Sequence, residues 1–213
     1  MNARRHKYVF INGMLLAAAL LIVSSCAAQS DSDAWLILAS GQKGLINMHT
    51  SRADLARLFG DKNVVDKDVD VGEGETEPGT VVFSNDAERR IEVLWVDPDK
   101  KDALKSATIT GSKSRWHAAH GITLGASVED IERVNGRAFA ISFGTDEPGA
   151  IMSWHRGRLE GDFGNGQVFV TLQPTTKERI RPNWGGDSDT PAMRKLKLCV
   201  SKISWRFHNP VQY

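Results

Sequence analysis

Two stretches of the chain repeat one pattern of polar and apolar positions. Residues 46–60, INMHTSRADLARLFG, align with residues 122–136, ITLGASVEDIERVNG, at a constant offset of 76. Identities fall at Ile46/Ile122, Ser51/Ser127, Asp54/Asp130, Arg57/Arg133 and Gly60/Gly136, and apolar matches at Met48/Leu124, Leu55/Ile131 and Leu58/Val134. A match that keeps cap, register and terminator together reads as an internal duplication. Ser51 and Ser127 stand where a side-chain oxygen caps the first turn of a helix. Asp54 and Glu129–Asp130 place negative charge at the positive end of the helix dipole. Leu55 with Leu58, and Ile131 with Val134, lie three apart and define a buried face. Gly60 and Gly136 are expected to end the helices in the left-handed conformation that suits glycine.

Between and after these helices the apolar period shortens to two. Strands are predicted at TVVF (80–83), RIEVLWV (90–96) and SATITG (106–111) after the first helix. FAISF (139–143), AIMSW (150–154), QVFVTL (167–172) and LKLCVSKISWRF (196–207) follow the second. SNDAE, GTDEPG, GDFGNG and NWGGDSDTP read as turns. A helix followed by several strands, twice, predicts an α+β protein of two tandem repeats, each a short helix packed on an antiparallel sheet. The repeats span 44–115 and 116–213, and the halves either form one sheet each or share one.

The first residues follow a different rule. Arg4, Arg5 and Lys7 precede an apolar run from Ile11 to Val23, and small residues lead to Cys26. Charged start, short apolar run and small residues mark a secretory signal peptide. The run is short for a span, since a bilayer core needs about 20 apolar residues; an anchor that stays attached is the alternative. Val23-Ser24-Ser25-Cys26 resembles the lipobox of bacterial lipoproteins, although Val23 and Ser25 depart from the usual Leu and Gly or Ala. The resemblance implies removal of residues 1–25, lipidation of Cys26 by diacylglycerol and a fatty acyl chain such as palmitate, and a lipidated cysteine and tether over 26–43. Ala27 rather than Asp after the cysteine implies the outer membrane, facing the periplasm. Without the leader the chain carries 24 Lys plus Arg against 26 Asp plus Glu, so the formal charge moves from +1 to −2. No concentrated basic patch points to nucleic acid.

The repeat arrangement resembles the tandem helix-plus-sheet fold of the β-lactamase inhibitor protein and the related single-unit fold of the small lipoprotein of the outer-membrane barrel assembly machinery. GITLG…DIERVNG, GTDEPGAIMSW and GRLEG resemble phrases of uncharacterised bacterial envelope proteins. The resemblance implies a protein-binding role and carries no site residue across, because fold alone does not fix function.

Catalytic constellations are scarce. Asp66, Asp68, Asp70 and Glu77 occupy positions one, three, five and twelve of a calcium-loop pattern, but Val71 replaces the turn glycine, so a solvated acidic loop is the better reading. His117 and His120 share a segment and His155 follows a strand, with no third ligand at diagnostic spacing for zinc. No cofactor motif, G-x-S-x-G elbow or complete P-loop is present. Asp86 with Glu88 reads as a turn, and Glu129 with Asp130 as a helix start. Cys199, in an apolar–polar strand run, reads as a buried small side chain. Trp95, Trp154 and Trp205 belong to strands and the core, whereas Trp116 and Trp184 fall in polar loops as interface anchors or lids. The preferred reading is a lipid-anchored, non-enzymatic envelope module that binds a protein partner through a sheet face or an inter-repeat groove. Its rival is an envelope hydrolase or sugar-binding enzyme with a site assembled from His117, His120 and the 66–77 carboxylates. A calcium-stabilised module is the third.

Overall fold

The computed structural model describes residues 35–37, 44–145, 148–164, 167–177 and 180–207. Nine antiparallel strands form one sheet: β1 (Val64–Gly72), β2 (Glu75–Val82), β3 (Ile91–Trp95), β4 (Leu104–Thr110), β5 (Ala140–Phe143), β6 (Gly149–Ser153), β7 (Val168–Pro174), β8 (Trp184–Asp187) and β9 (Leu198–Arg206). Their order is β1-β2-β3-β4-β9-β7-β6-β5-β8. The fold is α+β and dominated by its sheet, which takes strands from both 44–115 and 116–213. Among the described residues four α-helices accompany it: α1 (Arg52–Phe59), α2 (Val128–Asn135), α3 (Glu160–Phe163) and α4 (Pro191–Leu196).

Both longer helices start as their sequence dictates. In α1 the Asp54 N–H donates to Ser51 Oγ at 3.1 Å, and the Ser51 N–H donates to Asp54 Oδ2 at 3.1 Å. In α2 the Asp130 N–H donates to Ser127 Oγ at 3.1 Å, and the Ser127 N–H donates to Asp130 Oδ2 at 3.0 Å. These are reciprocal capping boxes, each satisfying two donors that the first turn leaves free. Gly136 ends α2 in the left-handed region as expected (φ 79°, ψ 4°). Gly60 ends α1 differently: its φ is 84° but its ψ of 132° lies outside that region, because the chain turns straight into a 3₁₀ turn over Asp61–Asn63.

The boxes make stability depend on acid. The Arg57 guanidinium, together with Ser51, holds the Asp54 carboxyl down at about 2. Hydrogen bonds from Ser127, helped by Arg133, hold Asp130 at about 2 as well. A carboxyl whose folded value is depressed stabilises the fold above its unfolded value, and that contribution fades as pH falls through the folded value. Asp130→Asn is therefore expected to melt below the parent at pH 7. The gap should narrow between about pH 4 and pH 2, as parallel thermal melts would show.

The core lies on one face. Strand residues Ile91, Val93, Trp95, Ala107, Ile109, Val170, Ile203 and Trp205 are buried there, and Leu55 of α1, Val128 and Ile131 of α2, Phe163 of α3, and Met193 and Leu196 of α4 join the same cluster. Trp95, Trp154 and Trp205 are buried as expected. Before α1, Leu36 bridges His117 and Ile37 bridges Gly44, while Ile37 is fully buried. Trp35–Ile37, expected within the tether over 26–43, thus belong to the folded body.

Two strands stand where no strand was expected. The acidic stretch 66–77 is the hairpin of β1 and β2, turning at Glu73 and Gly74, both at positive φ. NWGGDSDTP supplies edge strand β8, paired with β5, and then the Thr190 cap of α4.

Candidate functional site

Strand pairing fixes which side chains share the face opposite the helices. Lys67, Gly79, Leu94, Ser106 and Arg206 form one cross-strand row. Val65, Val81, Glu92, Thr108, Ser204 and Phe169 form the next. Thr110, Lys202, Thr171, Ala150, Ser142 and Gly185 form a third, reaching the far edge. Side chains of a strand alternate between faces, so these rows stand together away from the core. Phe169 is 40% exposed and Val65 likewise 40%, with Met152 of β6 at 67%. The Thr108 and Ser204 hydroxyls meet across the β4–β9 seam at 3.0 Å.

The charges of this face are unevenly matched. Glu92 accepts from Arg90 at 2.5 Å, and Glu77 accepts from Lys105 at 2.7 Å. Lys67, Lys202 and Arg206 are exposed and form no ion pair with the described residues. The Arg206 guanidinium instead lies over the Phe169 ring, 4.5 Å from its centroid, a cation–π arrangement. The unmatched charge on this face is therefore positive among the described residues.

An open cleft of about 580 Å³ lies at one end of the β4–β9–β7 seam. Among the described residues that line it, Thr110, Ser112, Thr171, Gln173, Ser201 and Lys202 are polar and none is a carboxylate. Cys199 lines it too and is half-buried rather than in the core. Its place follows from β9, where Leu198 and Val200 face the core and Cys199 between them does not.

Among the described residues, those singled out from the sequence each have a definite place. Trp116 is not exposed: it is fully buried, donates from Nε1 to the Arg89 carbonyl at 2.7 Å, and packs edge-on against Trp35 and Phe59. Its ring cannot meet a partner while the fold is intact, which corrects the expected anchor there. Trp184 is half-buried on β8 and stacks on Phe143, with ring centroids 5.9 Å apart and planes 6° apart. That places it on the core side of the edge strand, away from the face that carries Phe169. Cys26 lies outside the described residues.

The acidic residues of the calcium pattern do not converge. Asp66 accepts from Thr80 Oγ1 at 2.6 Å and pairs with Lys101 at 2.9 Å and Arg52 at 3.4 Å. Thr80 in turn accepts from Trp95 Nε1 at 3.0 Å, so Asp66 closes a partly buried network at the end of the core. Asp70 caps the hairpin by accepting from the Gly72 N–H at 2.8 Å, and Glu77 belongs to Lys105. Asp68 and Asp70 are exposed on the strand. An extended strand spreads residues about 3.3 Å apart along a line, whereas a calcium loop curls them around one point. Among the described residues no group of three or more His, Cys, Asp or Glu is placed to hold a metal.

The histidines are also dispersed. His120 pairs with Asp162 at 2.7 Å, and His117 Nδ1 lies 3.1 Å from the Ala118 carbonyl. Neither contact involves a hairpin carboxylate. Asp86 pairs with Arg89 at 2.7 Å, Glu129 with Arg194 at 2.9 Å and Asp130 with Arg133, so these carboxylates serve turn and helix.

One constellation escaped the sequence. His155 Nε2 lies 2.8 Å from Asp187 Oδ1, and its Nδ1 lies 3.4 Å from Ser153 Oγ. A catalytic serine is activated by a base oriented by a sheltered acid. Here Ser153 Oγ also accepts from the His155 N–H at 3.2 Å, and the His155 and Asp187 side chains are 40% and 54% exposed. Ser153 and Asp187 both lie opposite Ala140, so His155 clasps edge strand β8 to the turn after β6.

No family model matches the chain, no curated protein matches it and no solved structure matches it.

Proposed function

We propose that the chain is a lipid-anchored bacterial envelope protein that docks a protein partner on the face of its sheet opposite the helices. The observation that carries this reading is that face itself: Phe169 under Arg206 beside unmatched Lys202 and Lys67, with apolar and hydroxyl side chains between them. Aromatic and arginine side chains at the centre of a surface patch are the commonest interface anchors. The rival enzyme reading would need His117, His120 and the 66–77 carboxylates to converge, and their contacts among the described residues lie apart.

The tandem repeat belongs to the same proposal. Two capping boxes 76 residues apart each start a helix that leads into strands. The strand order supports equivalence, because β1-β2-β3-β4 on one side of the seam faces β5, β6, β7 and β9 in reverse order on the other. Outward from the seam the halves match as β4/β9, β3/β7, β2/β6 and β1/β5, with β8 added at one edge. A long continuous face is what such a duplication creates. Lipid on Cys26, in the outer membrane and facing the periplasm, would hold that face beside envelope partners; several acyl chains on one residue give durable anchoring.

In-cell photo-cross-linking tests the reading. A photoreactive residue at Phe169 is expected to give one discrete protein adduct in the membrane fraction, and one at exposed Lys62, beside α1, none. The same Phe169 probe in a Cys26→Ala chain should lose its membrane-fraction adduct as the chain leaves the membrane. Equal labelling at both positions, or a Cys26→Ala chain processed and membrane-bound as before, would overturn the respective half of the proposal.

A further inference from the structure

The cleft at the end of the seam is continuous with the docking face. Lys202 shares its strand with Arg206, and Thr171 shares its strand with Phe169 two residues away. Thr110 and Thr171 stand directly across from Lys202 on its two neighbouring strands. Each lies about 4.8 Å away, the ordinary strand spacing. Gln173 and Ser201 extend the polar lining. An entering anion therefore meets one ammonium group flanked by O–H and N–H donors. Among the described residues no carboxylate lines the cleft to oppose it.

The occupant follows from the number of charges. A phosphate is usually held by several cationic or backbone N–H donors, and the described residues of this lining offer one lysine. A single carboxylate matches one ammonium and a few neutral donors. A free small carboxylate would gain little in so open a site, because one exposed ion pair is weak and association costs rotational and translational freedom. A carboxylate carried by a protein already seated on Phe169 has met that cost through the rest of the interface. Two further unmatched cations on the same face, Lys67 and Arg206, favour a partner surface of opposite sign.

We infer that the partner presents an acidic surface and inserts one aspartate or glutamate side chain into this cleft against Lys202. The inference rests on the docking reading and adds the chemistry of the partner to it. Arg206 stays over Phe169 and meets the same acidic surface, while Thr110 and Thr171 donate to the inserted carboxylate.

Carbodiimide coupling of the full-length chain in its membrane is the test, because it joins an amine only to a carboxylate in direct contact. After the protein captured through Phe169 has been identified, coupling is expected to join Lys202 to one of its Asp or Glu residues. Lys202→Glu should weaken the purified complex about tenfold or more, with a smaller salt dependence than the parent. Lys202→Arg should keep binding while abolishing the coupling, since a guanidinium keeps the charge but offers no amine. Lys202 is exposed, and unchanged melting of both variants would confirm that the fold is intact. A Phe169 adduct with no coupling at Lys202, and Lys202→Glu binding like the parent, would leave the docking face standing and overturn the carboxylate. No protein adduct at Phe169, or an adduct with phospholipid alone, would overturn the docking reading and the inference with it.

Discussion

Trp116→Ala is expected to lower the stability of the fold by about 4 kcal/mol, within the range for removing a buried tryptophan. The ring is fully buried and touches three separate parts of the chain. Trp35 meets it edge-on at 4.8 Å between centroids, Phe59 at the end of α1 meets it at 5.9 Å, and Arg89 accepts its N–H. The backbone beside it binds the 35–37 segment, with the His117 N–H donating to Trp35 and the Ile37 N–H donating to His117. Alanine would leave a cavity, an unpaired Arg89 carbonyl and a loosened Trp35. For a chain of this size about 4 kcal/mol corresponds to a fall in Tm of roughly 8–16 °C. A native domain holds only about 5–15 kcal/mol in all, so the variant should remain folded at low temperature and little above. Thermal melts followed by near-ultraviolet circular dichroism would measure the loss. Below the new Tm the Phe169 adduct should persist, because Trp116 lies away from the docking face. An unshifted Tm with loss of the adduct would reverse this assignment and return Trp116 to the interface.

What the sequence made legible was local. Ser51 and Asp54 are three residues apart, as are Ser127 and Asp130, and one helical turn is all that a capping box needs. Strand faces were legible wherever alternation was clean: in RIEVLWV the residues Ile91, Val93 and Trp95 go inward, and they do. The same alternation places the residues of the proposed docking face. Phe169 stands out of phase between Val168 and Val170, and Lys202 and Arg206 are out of phase with Ile203 and Trp205. Reading outward-pointing positions as carefully as inward ones would have found them.

Other features depend on partners distant in the chain. β1 hides behind Asp66, Lys67, Asp68 and Asp70, residues with poor strand propensity that suit an edge, where charge discourages further pairing. β8 reads as a turn because of Gly185 and Gly186. Yet the Gly185 backbone packs so closely on β5 that a Cβ there would lie 2.5 Å from the Ile141 carbonyl oxygen. The Thr108–Ser204 contact joins residues 96 apart, and the cleft needs three strands and the loop before α2 together. No local pattern encodes either. Trp116 misleads for a related reason: its neighbours in sequence are polar, but its neighbours in space are Trp35 and Phe59.

Gly157→Ala is the second substitution expected to be severe, and the cause lies in Asn135. The Asn135 side chain is 1% exposed at the end of α2 and ties three segments together. Its Nδ2 donates to the Arg137 and Trp154 carbonyls, each at 3.1 Å, and its Oδ1 accepts from the Leu159 N–H at 3.1 Å. The turn over Trp154–Gly157 holds His155 and Arg156 at φ of 51° and 59° and closes with the Gly157 N–H donating to Trp154 at 2.9 Å. A Cβ on Gly157 would lie 2.0 Å from Asn135 Oδ1. No side-chain carbon fits there, so the amide must swing away and give up its three hydrogen bonds. Each is worth about 1 kcal/mol net, and burying the abandoned groups unpaired adds to that, so the loss should be about 3 kcal/mol or more. Asn135→Ala removes the same bonds without the clash and should cost a similar amount. The double variant separates this mechanism from a general strain in the turn. If the clash with Asn135 is the cause, Gly157→Ala adds little once residue 135 is alanine, and the two effects fall well short of additive. Additive losses in chemical denaturation would instead place the cost in the turn itself, where His155 and Arg156 already occupy a region that L-residues rarely adopt.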